Sequence, residues 1–227
     1  MVPPGYTFAH YPATQAAHDL SVVSAVASIF SNSFGTNPKT GQPYRLGPNK
    51  TRERLQGTDD LVMALDSAGG YVGYVYGRRI DTPQGMVIWI DSLAVLPAHR
   101  RKGLGTNVVR SLIERHSVCR WVGCATPNPV AALVITRASE GVAYAGECSP
   151  PNELIEMIQN IRGQTPDLQG ADFNAARLLV RTSFNPTISG DRKDWSPPHP
   201  SEPPPWWSSL SNLPYEYEAL LIIDRQR

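Results

Sequence analysis

The sequence predicts an α/β domain whose sheet contains a parallel strand pair. Its 227 residues can build one sizeable core, and we expect a single domain over residues 1–227 with an insertion at about 145–213. The fold class is predicted from a strand-helix-strand order between Met86 and Pro127, which follows a hairpin. A helix that connects two strands of one sheet normally joins parallel strands by a right-handed crossover, so we expect these two strands to run parallel.

The elements of the first half follow from periodicity and turn residues. TQAAHDLSVVSAVASIFSNSFG carries apolar residues at helical spacing and predicts a helix that ends near Gly35. Residues 36–60 predict a loop with a short helix around KTRERL. LVMALDS and YVGYVYGRRI flank Gly69 and Gly70, which predicts a β-hairpin.

The central segment alternates buried strands with helices. MVIWIDSLAVL is a nearly continuous apolar run, typical of a strand buried on both faces. GLGTNVVRSLIERHS predicts an amphipathic helix, CRWVGCATP a second strand, and NPVAALVITRAS a helix that begins at Asn128 and Pro129.

The second half changes character. PNELIEMIQNIRG and DFNAARLLVRTSF predict helices, and DWSPPHPSEPPPWWSSLSNLP predicts a proline-dense loop. YEYEALLIID predicts a final strand.

Composition narrows the classes of function. The formal charge of +1 argues against a nucleic-acid or membrane partner without excluding a local basic patch. Cys119, Cys124 and Cys148 show no CxxC spacing and the five histidines are scattered, so neither a disulfide framework nor a metal site is predicted. Because the chain has no secretory-type start and no apolar run of about 18 residues, we expect a cytoplasmic protein.

PAHRRKGLGT is the most informative stretch of the sequence. Gly103 and Gly105 fall where a buried strand turns into a helix, so unpaired backbone N–H groups are left uncovered there. The helix N-terminus and the side chains of Arg100, Arg101 and Lys102 add positive charge. The turn predicts a site for a pyrophosphate-like anion; the alternative is a plain turn with a solvated basic cluster.

This composite resembles the acetyl-CoA-binding motif of the GNAT superfamily of acyl-CoA-dependent N-acyltransferases. In that family a strand ends in L-x-V-x-P and R/Q-x-x-G-x-G/A opens the next helix; here LAVLP is followed by RRKGLG. The resemblance covers roughly residues 6–137 and resumes at Tyr215. It implies a mixed, mostly antiparallel sheet with a central parallel strand pair flanked by helices, and it leaves the insertion without a counterpart.

The resemblance also implies where acetyl-CoA binds as co-substrate. Backbone groups at the end of the motif strand would pair with the pantetheine arm and help polarise the thioester carbonyl, and amides of the turn would hold the pyrophosphate. Asn128 matches a family asparagine that often contacts the cofactor arm, although a simple helix cap explains it equally well. The implied cofactor-binding residues are Leu93, Ala94, Val95, Arg100, Arg101, Lys102, Gly103, Leu104, Gly105, Thr106 and Asn128.

The family's usual general acid is missing from this chain. A tyrosine commonly stands seven residues beyond that asparagine and protonates the departing thiolate, but Ile135 occupies this position. Tyr144 is the nearest alternative, so the identity of the acid stays open.

Asp91 is the candidate general base. Attack on a thioester needs a neutral nitrogen with a free lone pair, and a base that titrates near neutrality must take a proton. Asp91 lies in the apolar segment WIDSLAV, where burial would raise its pKa, and several GNAT enzymes have a carboxylate near this point. The alternative is a structural aspartate satisfied by neighbouring donors.

The insertion contains a candidate acceptor-binding segment, PPPWWSS. In GNAT folds the segment that leads into the last strand lies beside the acceptor side of the cleft. Trp206 and Trp207 offer large apolar faces that can hold a cation or an aromatic acceptor. Alternatively, they anchor the loop on the core or form a dimer contact.

Taken with the resemblance, the sequence predicts an acetyltransferase. It would move an acetyl group from acetyl-CoA to a primary amine by direct attack in a ternary complex, with a small molecule as the acceptor. Two alternatives stay open: a macromolecular amine, such as a protein N-terminus, an aminoacyl-tRNA or a modified nucleic acid, and a non-catalytic acyl-CoA-binding module. The acceptor, the acyl-chain length and the oligomeric state, a homodimer included, are not predicted.

Overall fold

The computed structural model describes residues 2–37, 40–146, 150–182, 202–213 and 216–226. The strands in this part of the chain are β1 (Tyr6–Pro12), β2 (Asp60–Asp66), β3 (Tyr71–Thr82), β4 (Gly85–Val95), β5 (Trp121–Thr126), β6 (Val142–Tyr144), β7 (Phe173–Asn174), β8 (Leu179–Arg181) and β9 (Tyr217–Asp224). They form one sheet in the order β1-β2-β3-β4-β5-β9-β8-β7, and β6 also pairs with β9. β4 and β5 are parallel and the other pairs are antiparallel, which confirms the predicted fold class.

Helices flank this sheet on both faces. They are α1 (Ala13–Ala16), α2 (Leu20–Ser31), α3 (Pro48–Gln56), α4 (Leu104–Arg115), α5 (Pro129–Ser139), α6 (Asn152–Gln164) and α7 (Trp207–Ser211). The predicted hairpin is β2–β3, and the predicted strand-helix-strand unit is β4–α4–β5. In the described residues, no helix combines the length and apolar character needed to cross a membrane.

One face of the sheet, called the α5 face, packs against α4, α5 and α7. Strand residues alternate between the two faces, so every second residue of the central strands contributes to this core. Its main strand residues are Ile88, Ile90, Val122, Cys124, Leu221 and Ile223, all buried. α4 covers them with Val108 and Leu112, as its predicted apolar stripe requires.

The opposite face, called the α6 face, is covered in two parts. α6 packs over Val87 and Leu220, and α2 packs over Tyr74 and Tyr76. Both parts lie on the same face of the sheet. Tyr74, Tyr76 and Ile80 are separated by even numbers of residues along β3, so their side chains point to one face, and Ile80 packs with α6. The polar side chains of Arg78, Asp91 and Ser92 also lie on this face of the sheet.

The helix predicted for DFNAARLLVRTSF is wrong over its described part. β7 and β8 form a hairpin there around a 3-10 turn at Ala175–Arg177, and β8 pairs with β9. Leu179 is buried in the α5-face core and Val180 in the α6-face core. Pairing with β9 buries both side chains, which outweighs the local helical propensity of the segment.

Parts of the predicted insertion lie outside the described residues, among them Cys148 and residues 183–201. The described part contains α6, the β7–β8 hairpin and α7. α7 was not predicted, since its five residues follow three prolines in a segment that favoured a loop.

Trp206 and Trp207 belong to the core of the α5 face. Their exposed fractions are 5% and 6%, and they pack in the same cluster as Ile135 and Ala145. This burial favours the anchoring alternative. Contact with an acceptor stays a prediction, because the structure places both indoles on the face opposite to the two tyrosines of β3.

The anchoring role predicts a stability effect. Trp207→Ala should lower the free energy of unfolding by about 3–5 kcal/mol, because it leaves a cavity in the core. Thermal unfolding should show a melting temperature lower by several degrees. Val118→Ala is the control, because Val118 is 67% exposed and its truncation should change stability by no more than about 0.5 kcal/mol. An unchanged melting temperature in Trp207→Ala would contradict anchoring.

Candidate active site

The parallel strands β4 and β5 separate along their length. They pair from Val87 opposite Trp121 to Ile90 opposite Cys124, and both strands continue past this point without pairing. β5 stays paired on its other edge with β9 as far as Thr126. A gap therefore opens in the centre of the sheet, bordered by the last residues of β4 on one side and of β5 on the other.

A β-bulge lies at the start of this gap. Ile90 and Ser92 pair with the adjacent residues Gly77 and Tyr76 of β3, so Asp91 is an extra residue in β4. Gly77 permits the close approach, since an added Cβ would collide with the backbone of β4. The bulge places the side chains of Asp91 and Ser92 together on the α6 face, where both contact side chains of β3.

The backbone beyond the bulge is directed into the gap. Leu96 N donates to Val72 O at 2.9 Å, and in an antiparallel pair such hydrogen-bonded residues alternate. Ala94 therefore bonds to β3, and Leu93 and Val95 direct their N–H and C=O groups away from β3, towards the side that β5 has left. The C=O of Val95 already accepts from Arg100 Nε and Ser33 Oγ, which leaves the N–H and C=O of Leu93 and the N–H of Val95 for a ligand. Extended backbone with polar groups open on one edge can pair with the amides of an extended ligand.

Arg100 stabilises the loop that follows β4. Its Nε donates to Val95 O at 3.0 Å and its Nη2 donates to Ser33 O at 3.1 Å. The side chain thus joins the end of β4 to the end of α2. Arg101 and Lys102, which follow it, are exposed beside the N-terminus of α4.

The N-terminus of α4 has no side-chain cap. Arg101 and Gly103 adopt left-handed backbone conformations with φ of 63° and 74°, and Gly103 in the N-cap position has no side chain to accept from the first turn. The N–H groups of Leu104, Gly105 and Thr106 make no hydrogen bond within the described residues. Uncapped amides at a helix N-terminus form an anion site.

Asn128 shows the opposite arrangement at the start of α5. Its Oδ1 accepts from Val130 N at 2.9 Å and from Ala131 N at 3.4 Å, so it is a helix cap. Contact with a cofactor arm stays a prediction for its amide NH₂. α5 also contacts the turn, because a Cβ added to Gly105 would lie 3.3 Å from Val134 Cγ1.

These features fit the parts of coenzyme A. The open edge of β4 offers backbone partners to a pantetheine chain, and the uncapped turn with its exposed basic side chains offers donors to a pyrophosphate. Both lie on one continuous segment, since LAVLPAHRRKGLGT runs from the gap into α4. The predicted cofactor-binding residues therefore lie along the segment from the end of β4 to the first turn of α4, and Asn128 lies just after β5.

Asp91 lies in a bidentate ion pair. Arg78 on β3 donates from Nε to Asp91 Oδ2 at 3.0 Å and from Nη2 to Oδ1 at 2.8 Å. Burial raises the pKa of Asp91 to about 6, and the hydrogen bonds and charge of Arg78 act in the opposite direction. Asp91 is thus an ionised carboxylate at neutral pH that can still accept a proton in weak acid.

Hydroxyl groups lie next to Asp91. Ser92 Oγ and Tyr74 Oη are 3.0 Å apart. Tyr76, which is fully buried, has no hydrogen-bond partner for its hydroxyl within the described residues. Burial raises the pKa of both tyrosines, so they are neutral hydroxyl donors at physiological pH.

A second buried carboxylate lies on the same face and was missed in the sequence. Glu218 of β9 is 7% exposed and accepts a hydrogen bond from Thr182 Oγ1 at 2.7 Å. Burial and the charge of Asp167 raise its pKa to about 7, against the effects of Thr182 and Arg54. A signal was present, because Glu218 interrupts the apolar run of the final strand. Sequence could not show which partners it meets there.

The structure does not gather every residue that the sequence singled out. Cys124 is buried in the core of the α5 face, and burial raises the pKa of its thiol, as expected of a core residue. Trp206 and Trp207 pack in the same core. Tyr144 lies on β6, where it pairs with Ile222 of β9.

Comparison with known proteins identifies the segment that contains this site. Residues 25–135 match the model of the acetyltransferase (GNAT) family. This segment is a GNAT acetyltransferase domain. It includes the bulge, the gap and the turn into α4, and it ends at Ile135. No curated protein matches the sequence significantly.

Several solved GNAT structures are similar to the chain. The diaminobutyrate acetyltransferase of Paenibacillus lautus, in complex with L-2,4-diaminobutyric acid and coenzyme A, is 12% identical over 97% of this chain and 95% of that chain, with a TM-score of 0.45. The Escherichia coli GNAT N-acetyltransferase YhbS, in complex with CoA, is 14% identical over 60% and 68%, with a TM-score of 0.41. An aminoglycoside acetyltransferase from an uncultured soil sample is 21% identical over 49% and 72%, with a TM-score of 0.35.

The uncapped turn predicts how cofactor binding responds to substitution. In Gly103→Val, a β-branched residue would occupy a left-handed conformation, which costs about 1–2 kcal/mol and reorients the first amides of α4. Acetyl-CoA affinity measured by calorimetry should fall at least about tenfold.

Gly163→Val is the matched control for this substitution. Gly163 lies in α6 with ordinary helical backbone, and its added Cβ meets no atom within 4 Å. The control should bind acetyl-CoA as the wild type does. A folded Gly103→Val protein with wild-type affinity would rule out this turn as the anion site.

Proposed function

We propose that this protein transfers the acetyl group of acetyl-CoA to a primary amine of a small molecule by direct attack in a ternary complex. The observation that carries the proposal is the gap between β4 and β5, where open backbone, an uncapped helix N-terminus and buried carboxylates converge. Membership of residues 25–135 in the GNAT acetyltransferase family supports the same reaction class.

The chain's own residues divide the tasks of binding and proton transfer. The backbone of Leu93 and the N–H of Val95 bind the pantetheine arm. The first amides of α4 bind the pyrophosphate, with Arg101 and Lys102 adding charge. Acetyl-CoA supplies an activated acyl group. In the balanced reaction, the amine nitrogen bonds to the acyl carbon, the carbon–sulfur bond breaks with its electron pair on sulfur, and the nitrogen gives up a proton.

Asp91 takes that proton. The bulge places it at the start of the gap, and the two hydrogen bonds from Arg78 fix the carboxylate plane. With a pKa of about 6, it is ionised at neutral pH and a stronger base than an exposed aspartate. The buried side chains of Tyr74 and Tyr76 lie on the same face and pack beneath α2 beside Asp91 and Ser92.

A single assay tests this function. The protein is incubated with acetyl-CoA and one amine at a time. The amines are ethanolamine, 1,4-diaminobutane, glucosamine, lysine and a peptide with a free α-amino group. Free thiol and the mass of each amine are followed together. We expect thiol release matched by a mass gain of one acetyl group on a small amine. Modification of the peptide alone would favour a macromolecular acceptor, and acetyl-CoA binding without thiol release from any amine would favour a non-catalytic module.

Removal of the proposed base predicts a kinetic signature. Asp91→Asn should lower kcat about 10²-fold or more, because the amide cannot accept the proton. In the wild type, activity should fall as the pH drops through about 6, where Asp91 becomes protonated. The variant should lose this limb of the profile and keep acetyl-CoA affinity. Full activity in a folded Asp91→Asn protein would remove Asp91 from the mechanism.

Replacement of Arg78 should shift the acidic limb of the pH profile to higher pH. Arg78 lowers the pKa of Asp91, so Arg78→Gln should raise it and move the acidic limb of kcat to higher pH. Arg115→Gln is the control, since Arg115 pairs with Asp60 on the α5 face, opposite to the face of Asp91, and should leave the limb in place. An acidic limb that does not move in Arg78→Gln would show that another group sets it.

A further inference from the structure

We propose that Glu218 is a second proton acceptor of the site and takes the proton from the ammonium form of the acceptor amine before attack. The inference rests on the proposed function, which needs a neutral amine. No role follows for Glu218 from the family motif, because the matched segment ends far before β9.

Glu218 lies on the same face and at the same end of the sheet as Asp91. It alternates in register with Leu220 and Ile222, which belong to the core of the α6 face. Thr126, the last residue of β5, pairs with Ala219, and Glu218 is the residue before Ala219, just beyond the end of β5. Glu218 therefore stands at the far border of the gap. Asp91 stands at the near border on β4.

Two charged side chains connect these carboxylates. Arg54 on α3 and Asp167 in the 3-10 turn after α6 lie 3.9 Å apart, and their charges act on the pKa of both Asp91 and Glu218. α3 and the turn belong to the two parts that cover the α6 face. Both carboxylates therefore lie on the α6 face within range of the charges of Arg54 and Asp167.

Asp91 and Glu218 differ in their hydrogen-bond partners. Asp91 is held by both donors of Arg78. Glu218 is buried and accepts one hydrogen bond, from Thr182, and it has no cationic partner within 4 Å among the described residues. A buried carboxylate without a cation favours either protonation or the arrival of an ammonium ion.

The groups that face Glu218 explain its affinity for a proton. Burial and, less strongly, the charge of Asp167 raise the pKa of Glu218, while the Thr182 hydroxyl and the charge of Arg54 lower it; the resulting pKa is about 7. The Cys124 thiol on β5 also interacts with its charge and is neutral, since burial raises the pKa of that thiol. Glu218 is thus poised to exchange a proton at neutral pH.

The chemistry of the reaction needs two proton acceptors. A primary amine in neutral water is an ammonium ion, which must lose one proton to expose its lone pair. In this step an N–H bond breaks, its electron pair stays on nitrogen, and the proton bonds to a Glu218 oxygen. After the nitrogen bonds to the acyl carbon, a second proton leaves to Asp91, and both protons pass to water or the thiolate. Each carboxylate accepts one proton per turnover.

Glu218→Gln tests the proposal in the full-length protein. The assay uses whichever amine of the panel releases thiol fastest. At pH 7, kcat/KM for the amine should fall about 10²-fold or more, while acetyl-CoA affinity from calorimetry stays unchanged. The rate of the variant should then rise steadily with pH, because it depends on amine that is already neutral in solution. The wild-type rate should level off above about pH 7.

Glu216→Gln is the matched control. Glu216 lies two residues away and pairs with Arg181 at the surface, so the same chemical change should leave the rate and its pH dependence as in the wild type. Glu218→Asp supplies a second variant that keeps a carboxylate; it should retain the level region of the profile at a reduced rate. A Glu218→Gln protein with a wild-type profile overturns the proposal. So does a Glu218→Asp protein whose rate, like that of Glu218→Gln, keeps rising with pH.

A measurement without substrate separates this proposal from the proposed function. The folded-state pKa of Glu218 lies above its ordinary value of 4.5, so ionisation of Glu218 removes stability as the pH rises through about 5 to 7. The melting temperature of Glu218→Gln relative to the wild type should increase over this range. A constant difference would show that Glu218 does not titrate there and would overturn the proposal. Absence of thiol release in the wild type would instead reject the proposed function.

Discussion

The separation of β4 and β5 after Ile90 and Cys124 is the constraint on which the site depends. A parallel pair normally hydrogen-bonds along its whole length, because unpaired backbone inside a sheet is costly. Here β3 and β9 hold the outer edges of the two strands, so the gap can persist without loss of the sheet. The bulge at Asp91 contributes local twist at the same point, and Gly77 allows the strands to approach there.

The gap connects two different environments on the two faces of the sheet. The turn into α4 contacts α5 through Gly105 and Val134 and carries exposed basic side chains. The α6 face carries the carboxylates of Asp91 and Glu218, and the charges of Arg54 and Asp167 act on both. In the proposed function, an extended cofactor runs along β4, with its phosphates at the basic turn and the cationic acceptor at the carboxylates, so the two ends of the site carry opposite charges.

The sequence predicted the elements whose signals are local, and it missed those that depend on distant partners. Hydrophobic periodicity located β4, α4 and β5, and the glycine spacing located the turn, because strand burial and backbone conformation leave marks within a few residues. The β7–β8 hairpin was missed, since Leu179 and Val180 form a strand only by pairing with β9. Asp91 was found as a polar residue in an apolar strand, but its partner Arg78 could not be paired with it before the register of β3 and the bulge were known.

The same reasoning explains why two similar signals received different weight. Asp91 and Glu218 each interrupt an apolar strand, and burial raises the pKa of both carboxyls. Asp91 lies next to a motif, whereas Glu218 lies in a strand with no motif nearby. Their chemical difference comes from the partners: Arg78 gives Asp91 two charged donors, and Thr182 gives Glu218 one neutral donor. Two carboxyls on one face of the sheet that have different hydrogen-bond partners can divide two proton transfers between them. A search for buried acids in predicted strands, independent of motifs, would have placed both residues among the candidates.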